Sequence, residues 1–210
     1  MARILYIQAS PLHEFSFSTA VADAFVESYL QQNPQDQVLR LDVFRRPLIA
    51  FDGPVLRAKY AILHGRTPSG EEKKAWKAVE EAIAEFRSAD KYVMAVPMWN
   101  FGIPYRLKQY VDILVQPGYT FEVTPDGGFR GLVVGNPIFI AYARGGEYPA
   151  GSPYEGFDLQ KRYLETILGF IGFRDFRSVI VEPTLNQGPE VAQGRRNAAV
   201  EKAREMARSF

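Results

Sequence analysis

Short apolar runs and helical patterns alternate from one end of this chain to the other. Apolar, partly β-branched runs predict buried strands near residues 3–9, 36–42, 91–97, 137–143 and 176–182. Between them, apolar residues at helical spacing predict helices near 18–32, 71–88, 103–115, 157–169 and 189–208, with a weaker one near 54–63. Because this alternation is typical of βαβ units, we expect an α/β fold with a parallel sheet.

One segment interrupts the alternation. Two apolar stretches, 119–124 and 129–134, flank a Pro-Asp-Gly-Gly sequence at 125–128 that favours a tight turn. We therefore predict an inserted β-hairpin near 119–134. We expect it to project past the carboxyl end of the sheet, where it would cover a site, reach a partner chain or have no role.

Composition narrows the function classes. At 210 residues, we expect one domain spanning 1–210. The chain has 25 Lys and Arg against 24 Asp and Glu, which is no basic excess for nucleic-acid binding. It contains no cysteine, so thiolate chemistry, disulfides and cysteine-ligated metals are excluded. Only His13 and His64 could supply imidazole, and we predict no metal site.

The cellular location follows from the apolar runs. The amino terminus enters a short apolar strand without a secretory signal pattern, and no run approaches membrane-spanning length. We expect a cytoplasmic protein with no membrane association.

The loop after the first predicted strand has the residues of a phosphate site. Hydroxyls at Ser10, Ser16, Ser18 and Thr19 come with the free amides of a helix amino terminus, which suits a single terminal phosphate. The GxGxxG pattern of dinucleotide sites and the Walker lysine are both missing. The alternative is that these hydroxyls only cap the helix.

The loop at 97–104, after the third predicted strand, suits a planar ring. Two prolines stiffen it, Trp99 and Phe101 offer flat faces, and the amides of residues 98–102 can all donate hydrogen bonds. This combination fits a heteroaromatic ring edged with nitrogens and oxygens. The alternative is an ordinary loop whose aromatic residues pack in the core.

A third loop follows the fourth predicted strand of the main sheet. Gly145 and Gly146, after Arg144, permit close backbone approach and positive φ, so their amides could reach a ligand edge. A plain turn is the alternative. In a sheet of order 2-1-3-4-5, all three loops would meet at the switch point where such sheets bind ligands.

These motifs together resemble a known family. The signatures are Ser10-Pro11, 16–18, 97–101 with Leu107-Lys108, 118–121, 144–146 and the LGFIGF stretch at 168–173. They are similar to those of the FMN-dependent NADH-azoreductases, also described as NADH:quinone oxidoreductases. The resemblance implies a flavodoxin-like three-layer fold and a homodimer with two FMN sites at its interface. It assigns FMN binding to Ser10, Ser16, Phe17, Ser18, Met98, Trp99, Asn100, Phe101, Ala143, Arg144, Gly145 and Gly146.

The resemblance also implies a reaction. Two electrons would pass from NADH or NADPH through FMN to a quinone or azo compound in a ping-pong cycle. Flavin N5 would carry the hydride, so no catalytic side chain is predicted. We expect the Gly145 and Gly146 amides to stabilise negative charge on the reduced ring. Tyr119, Phe121 and Tyr148 are weaker candidates for the substrate cavity.

Three departures from the family pattern bear on the choice of substrate. Trp99 stands where tyrosine is usual, Ala143 replaces a residue that is polar in some members, and Glu147-Tyr148 replaces an apolar-His pair. Because much FMN binding uses backbone amides, we expect these changes to affect substrate preference more than FMN.

Two other functions remain possible from the residues. One is a flavodoxin-like electron carrier, although a net charge of +1 offers little electrostatic steering to a partner. The other is a serine hydrolase using Ser10 or Ser16 with His13, although the G-x-S-x-G elbow is missing. Arg57, Lys59 and Arg66 could contact a 2′-phosphate, or simply form a solvated charged face.

Overall fold

The computed structural model describes residues 1–210, and it contains the predicted α/β fold. Its strands are β1 (Arg3–Gln8), β2 (Gln37–Asp42), β3 (Lys91–Pro97), β4 (Phe121–Val123), β5 (Phe129–Gly131), β6 (Ile138–Ala143) and β7 (Phe176–Val181). Its helices are α1 (Phe17–Gln32), α2 (Gly53–Leu63), α3 (Gly70–Arg87), α4 (Tyr105–Leu114), α5 (Leu159–Ile171) and α6 (Pro189–Ala207).

The main sheet has five parallel strands in the order β2-β1-β3-β6-β7. Without the hairpin strands β4 and β5, this is the predicted order 2-1-3-4-5. The flavodoxin-like prediction is therefore confirmed. Every predicted element is present, and the largest shifts in the bounds have local causes: Pro104 delays the start of α4, and Asp158 caps α5 through the Lys161 amide at 3.1 Å.

Strand residues alternate between two hydrophobic cores, one on each face of the sheet. Leu5 and Ile7 pack with α2, α3, α4 and α5, whereas Ile4 and Tyr6 pack with α1 and α6. This is the period of two expected of a sheet covered on both faces. None of the helices combines the length and the apolar character that a membrane span requires.

The predicted hairpin is present, but its predicted position is wrong. Its strands pair antiparallel, and the Val133 amide donates to the Ile171 carbonyl at the carboxyl end of α5. Because α5 begins after the carboxyl end of β6 and returns before β7, this contact lies at the amino edge of the sheet. The expectation failed because α4 had already carried the chain back across the sheet before the hairpin begins.

Two glycines explain how closely the hairpin docks. A Cβ added at Gly131 would lie 2.3 Å from the Gly172 amide nitrogen, and one at Gly172 would lie 2.6 Å from the Val133 carbonyl oxygen. No side chain fits in that space, and Gly172 also has φ +125°. The second glycine of the LGFIGF stretch is thus required by backbone packing.

Candidate functional site

The three loops chosen from the sequence meet in one cleft at the carboxyl edge of the sheet. The cleft has a volume of about 220 Å³. Ser10, Ser16 and Phe17 line it from the first loop, and Met98 and Trp99 line it from the second. Ala143 and Gly145 come from the third. The expected convergence at the switch point is confirmed.

The first loop keeps more polar groups than helix capping uses. Ser16 caps α1 by accepting from the Thr19 amide at 3.3 Å, and its Oγ lies 3.1 Å from that of Ser18. The amides of Phe17 and Ser18 make no hydrogen bond within the chain, and the buried Thr19 hydroxyl has no partner. Free amides at a helix amino terminus beside clustered hydroxyls fit a phosphate group.

His13 does not join this cluster of serines. Its Nδ1 lies 3.5 Å from Oδ2 of Asp42, at the end of β2, and its side chain does not line the cleft. The geometry therefore lacks the serine–histidine contact that a hydrolase would need.

The second loop contains a tight turn that the sequence analysis missed. Trp99 and Gly102 exchange two backbone hydrogen bonds, at 3.0 and 2.9 Å, and the central residues Asn100 and Phe101 have φ of +48° and +68°. Positive φ at both central positions is the type I′ pattern, which is costly for a phenylalanine. We call residues 98–102 the Trp99 turn.

This turn corrects the prediction that all amides from 98 to 102 are available. The Met98 amide donates to the Ala143 carbonyl at 2.8 Å, and those of Trp99 and Gly102 bond to each other's carbonyls. Only the Asn100 and Phe101 amides make no bond within the chain. The turn therefore offers a ligand two free amides instead of the five predicted, and its backbone hydrogen bonds hold those two in place.

The aromatic side chains of the Trp99 turn are partly exposed. Trp99 is 37% exposed and touches Phe44, with ring centroids 5.6 Å apart. Phe101 is 43% exposed and stacks on Phe157 at 4.9 Å, with Tyr148 edge-on at 6.3 Å. Neither side chain is buried in the core, and Tyr148 contacts Phe101 without lining the cleft.

The third loop exposes its amides without the positive φ that glycine allows. Neither Gly145 nor Gly146 has positive φ, so that part of the expectation is wrong. A Cβ at Gly145 would lie 2.8 Å from Cδ1 of Leu185, an exposed side chain that can move aside. The amides of both glycines make no hydrogen bond within the chain, and they remain available to a ligand.

Arg144 lies between two residues that line the cleft, Ala143 and Gly145, but its own side chain is buried and does not line it. The guanidinium pairs with Asp158 at 2.7 Å and Glu182 at 3.3 Å, and its Nε donates to Gln160 at 3.1 Å. Its backbone is used as well, because its amide donates to the Val181 carbonyl at 2.9 Å and its carbonyl accepts from the Thr184 amide and hydroxyl, each at 2.9 Å. Arg144 therefore has no free backbone donor for a ligand in the cleft.

The hairpin candidates lie outside the cleft of their own chain. The Tyr119 hydroxyl donates to Glu80 at 2.6 Å and accepts from the Trp76 indole at 3.1 Å, on α3. Burial and the neighbouring Glu80 raise the pKa of Tyr119. Phe121 packs on Phe170 at 4.7 Å. A role for either residue in substrate binding would require a second copy of the chain.

The arginines considered for a 2′-phosphate lie in a separate groove. Arg57 and Arg66 line a space of about 440 Å³ between α2 and α3, and Arg57 pairs with Glu72 at 3.4 Å. Because Glu72 already pairs with Arg57 and none of these residues lines the cleft, the solvated-face interpretation is favoured.

Comparison with known proteins identifies the family. Residues 2–207 match the family model described as a flavodoxin-like fold. A curated protein of Nitratidesulfovibrio vulgaris, named FMN-dependent NADH:quinone oxidoreductase, is 56% identical over the full length of both chains. This chain belongs to the flavodoxin-like FMN-dependent NADH:quinone oxidoreductase family.

Solved structures of similar proteins agree with this family. An azoreductase from Bacillus anthracis strain Sterne superposes with a TM-score of 0.89, at 31% identity and full coverage of both chains. An FMN-dependent NADH-azoreductase from B. anthracis, solved in complex with FMN, has a TM-score of 0.85 at 28% identity, covering 99% of this chain and 100% of that one.

For a member of the FMN-dependent NADH:quinone oxidoreductase family, the lining of the cleft is informative. None of its side chains is ionisable: beyond the predicted residues they are Pro11, Leu12, Phe15, Pro97, Thr184 and Leu185. The sequence analysis missed Thr184 and Leu185. They follow β7 closely, so the rule that selected the other three loops could also have selected this one.

Proposed function

We propose that this chain binds FMN in the carboxyl-edge cleft and transfers two electrons from NADH or NADPH to quinones or azo compounds. The observation that carries the proposal is the set of free amides in the loops that form a cleft without ionisable side chains. These amides belong to Phe17 and Ser18 in the first loop and to Gly145 and Gly146 in the third, and of these four residues Phe17 and Gly145 line the cleft. Bound FMN would supply the hydride chemistry, in a ping-pong cycle.

The protein's own residues would bind and orient the cofactor. The Ser16 and Ser18 hydroxyls and the α1 amino terminus suit the phosphate. The free amides of Asn100, Phe101, Gly145 and Gly146 suit ring oxygens and nitrogens. Fixed amide donors beside a developing negative charge stabilise it without reorganisation, which is the contribution we assign to Gly145 and Gly146.

We further propose that the working unit is a homodimer that completes the cleft. At about 220 Å³ the cleft is smaller than the roughly 300–1,000 Å³ of typical ligand pockets. Large apolar side chains are exposed around it or close to it, among them Leu12, Phe15, Phe101, Tyr105, Phe157 and Leu185. Such a patch on one chain supports coverage by a second copy, and any substrate contact of the hairpin would be made at the partner's cleft.

Steady-state kinetics tests the proposed function. The FMN-loaded protein should oxidise NADH or NADPH when a quinone or azo dye is present, and parallel initial-rate lines would support the ping-pong cycle. A yellow protein that never turns over with organic acceptors would instead support a simple electron carrier. Light scattering at micromolar concentration should give a dimer, and a monomer with full activity would contradict the shared site.

A further inference from the structure

The position of Arg144 next to the cleft does not explain why its charged side chain is buried. Its side chain is 1% exposed and reaches no part of the cleft lining. A buried guanidinium paired with two partly buried carboxylates stabilises a protein no more than good apolar packing of the same volume. The ion pairs with Asp158 and Glu182 therefore suggest a purpose other than stability.

The contact with Gln160 points to that purpose. Gln160 is fully buried at the start of α5. Its Oε1 accepts from Nε of Arg144 at 3.1 Å, and its Nε2 donates to the Val96 carbonyl at 2.9 Å. Both ends of one side-chain amide are used, so Arg144 fixes the orientation of Gln160, and Gln160 holds the end of β3.

The Trp99 turn begins two residues after Val96. Val96 on β3 is in register with Tyr142 on β6, and the Met98 amide donates to the Ala143 carbonyl. Two sets of contacts thus connect the turn to the Arg144 loop. One is the backbone hydrogen bond from Met98 to Ala143, and the other runs from Arg144 through Gln160 to Val96. Asn100 and Phe101 have positive φ, a conformation that persists only where the surroundings hold it.

We propose that Arg144, acting through Gln160, is a positioning residue that holds the free amides of the Trp99 turn in register with those of Gly145 and Gly146. It is not a catalytic residue, since its side chain does not reach the cleft. Its role for the cofactor rests on the proposed function, whereas its effect on the turn does not.

The test compares Gln160→Met with the wild-type protein by hydrogen exchange of the peptide covering 97–104, with and without added FMN. Methionine is close in size but neither donates nor accepts here, so the Met98, Trp99 and Gly102 amides should exchange faster in both conditions. FMN affinity should fall about tenfold, because the two buried hydrogen bonds of Gln160 that hold the turn are lost. Arg144→Lys, which cannot reproduce the three-way contact, should show both effects.

Two further variants separate positioning from stability. Arg177→Lys removes a guanidinium near the amino end of β7, where it pairs with Asp175, and should leave the exchange of 97–104 and FMN affinity unchanged. Gln160→Glu keeps the acceptor for Arg144 but loses the donor to Val96. Faster exchange of residues 97–104 in Gln160→Glu would show that the hydrogen bond from Gln160 to Val96 holds the turn.

The results distinguish the two claims. Faster exchange of 97–104 in the Gln160 variants supports the positioning role even if the wild-type protein binds no FMN, which would overturn the proposed function alone. Unchanged exchange together with wild-type FMN affinity in both Gln160→Met and Arg144→Lys would overturn the positioning role. Variants with a lower melting temperature but unchanged exchange and unchanged FMN affinity would also overturn the positioning role.

Discussion

The cleft and the hairpin are built from the same kinds of residue and serve different ends. In the hairpin, Gly131 faces the backbone of Gly172, and Phe121, Phe129 and Phe170 pack on one another. In the cleft, Gly145 faces only the side chain of Leu185, and the neighbouring amides are free. Glycines and aromatic residues therefore indicate a ligand site only where the backbone donors are left without partners.

Alanine substitution at one glycine of each region should separate them most strongly. Gly131→Ala forces a methyl group into backbone atoms that cannot move independently, so we expect a loss of about 3 kcal/mol in the free energy of unfolding. Gly145→Ala should cost under about 1 kcal/mol of stability, because the exposed Leu185 side chain can swing away. Urea unfolding measures both.

Flavin titration of the same two proteins gives the converse comparison. Gly145→Ala places its methyl group in the cleft and should weaken FMN binding, whereas folded Gly131→Ala should bind FMN as the wild-type protein does. If the two variants lost similar stability and similar affinity, the contrast between a packed region and a binding region would be wrong.

Replacing hydroxyls sharpens the contrast at the helix ends. Ser16→Ala combined with Ser18→Ala should weaken FMN binding by roughly 1–3 kcal/mol, the value of hydrogen bonds to a charged group. Fluorescence titration of the apoprotein measures this affinity. Unchanged binding would leave these serines as helix caps only.

Ser69→Ala provides the matched control for the loss of a cap. Ser69 caps α3 in a capping box with Glu72, and its loss should cost about 1 kcal/mol of stability, as for Ser16. Because Ser69 lies outside the cleft, FMN affinity should not change in this variant.

Of the changes expected to weaken FMN binding, replacing Trp99 should have the smallest effect, with Trp76 as the comparison. Trp99 borders the cleft, so its emission should be quenched with FMN bound and recover when FMN is removed. Trp99→Ala should weaken FMN binding by about 0.5–1.5 kcal/mol beyond the area it buries, and should perturb the flavin spectrum. Trp76, buried against Tyr119, is the internal control. A Trp99→Ala protein with an unchanged flavin spectrum and affinity would make Trp99 a packing residue.

Much of the architecture follows from local pattern, and the sequence indeed predicts it. Strand and helix periodicity lead to every element, and the family resemblance implies the flavodoxin-like arrangement of the strands. The cleft loops follow as well, since loops at the carboxyl ends of parallel strands lie at one edge.

The features that escaped prediction depend on contacts distant in sequence. Which amides of the Trp99 turn are free depends on the Ala143 carbonyl, and the direction of the Arg144 side chain depends on Asp158, Gln160 and Glu182. Gly131 and Gly172, which meet across the hairpin, are 41 positions apart, so no local pattern reveals their contact.

Identification of the flavin bound by the purified protein tests whether the cleft is an FMN site. The protein should be yellow, and the flavin released on denaturation should run with FMN, because the first loop suits one terminal phosphate and lacks the dinucleotide glycines. Apoprotein should then take up about one FMN per chain on titration, the stoichiometry of a single cleft. FAD as the sole flavin, or apoprotein that does not bind FMN, would contradict the site described above.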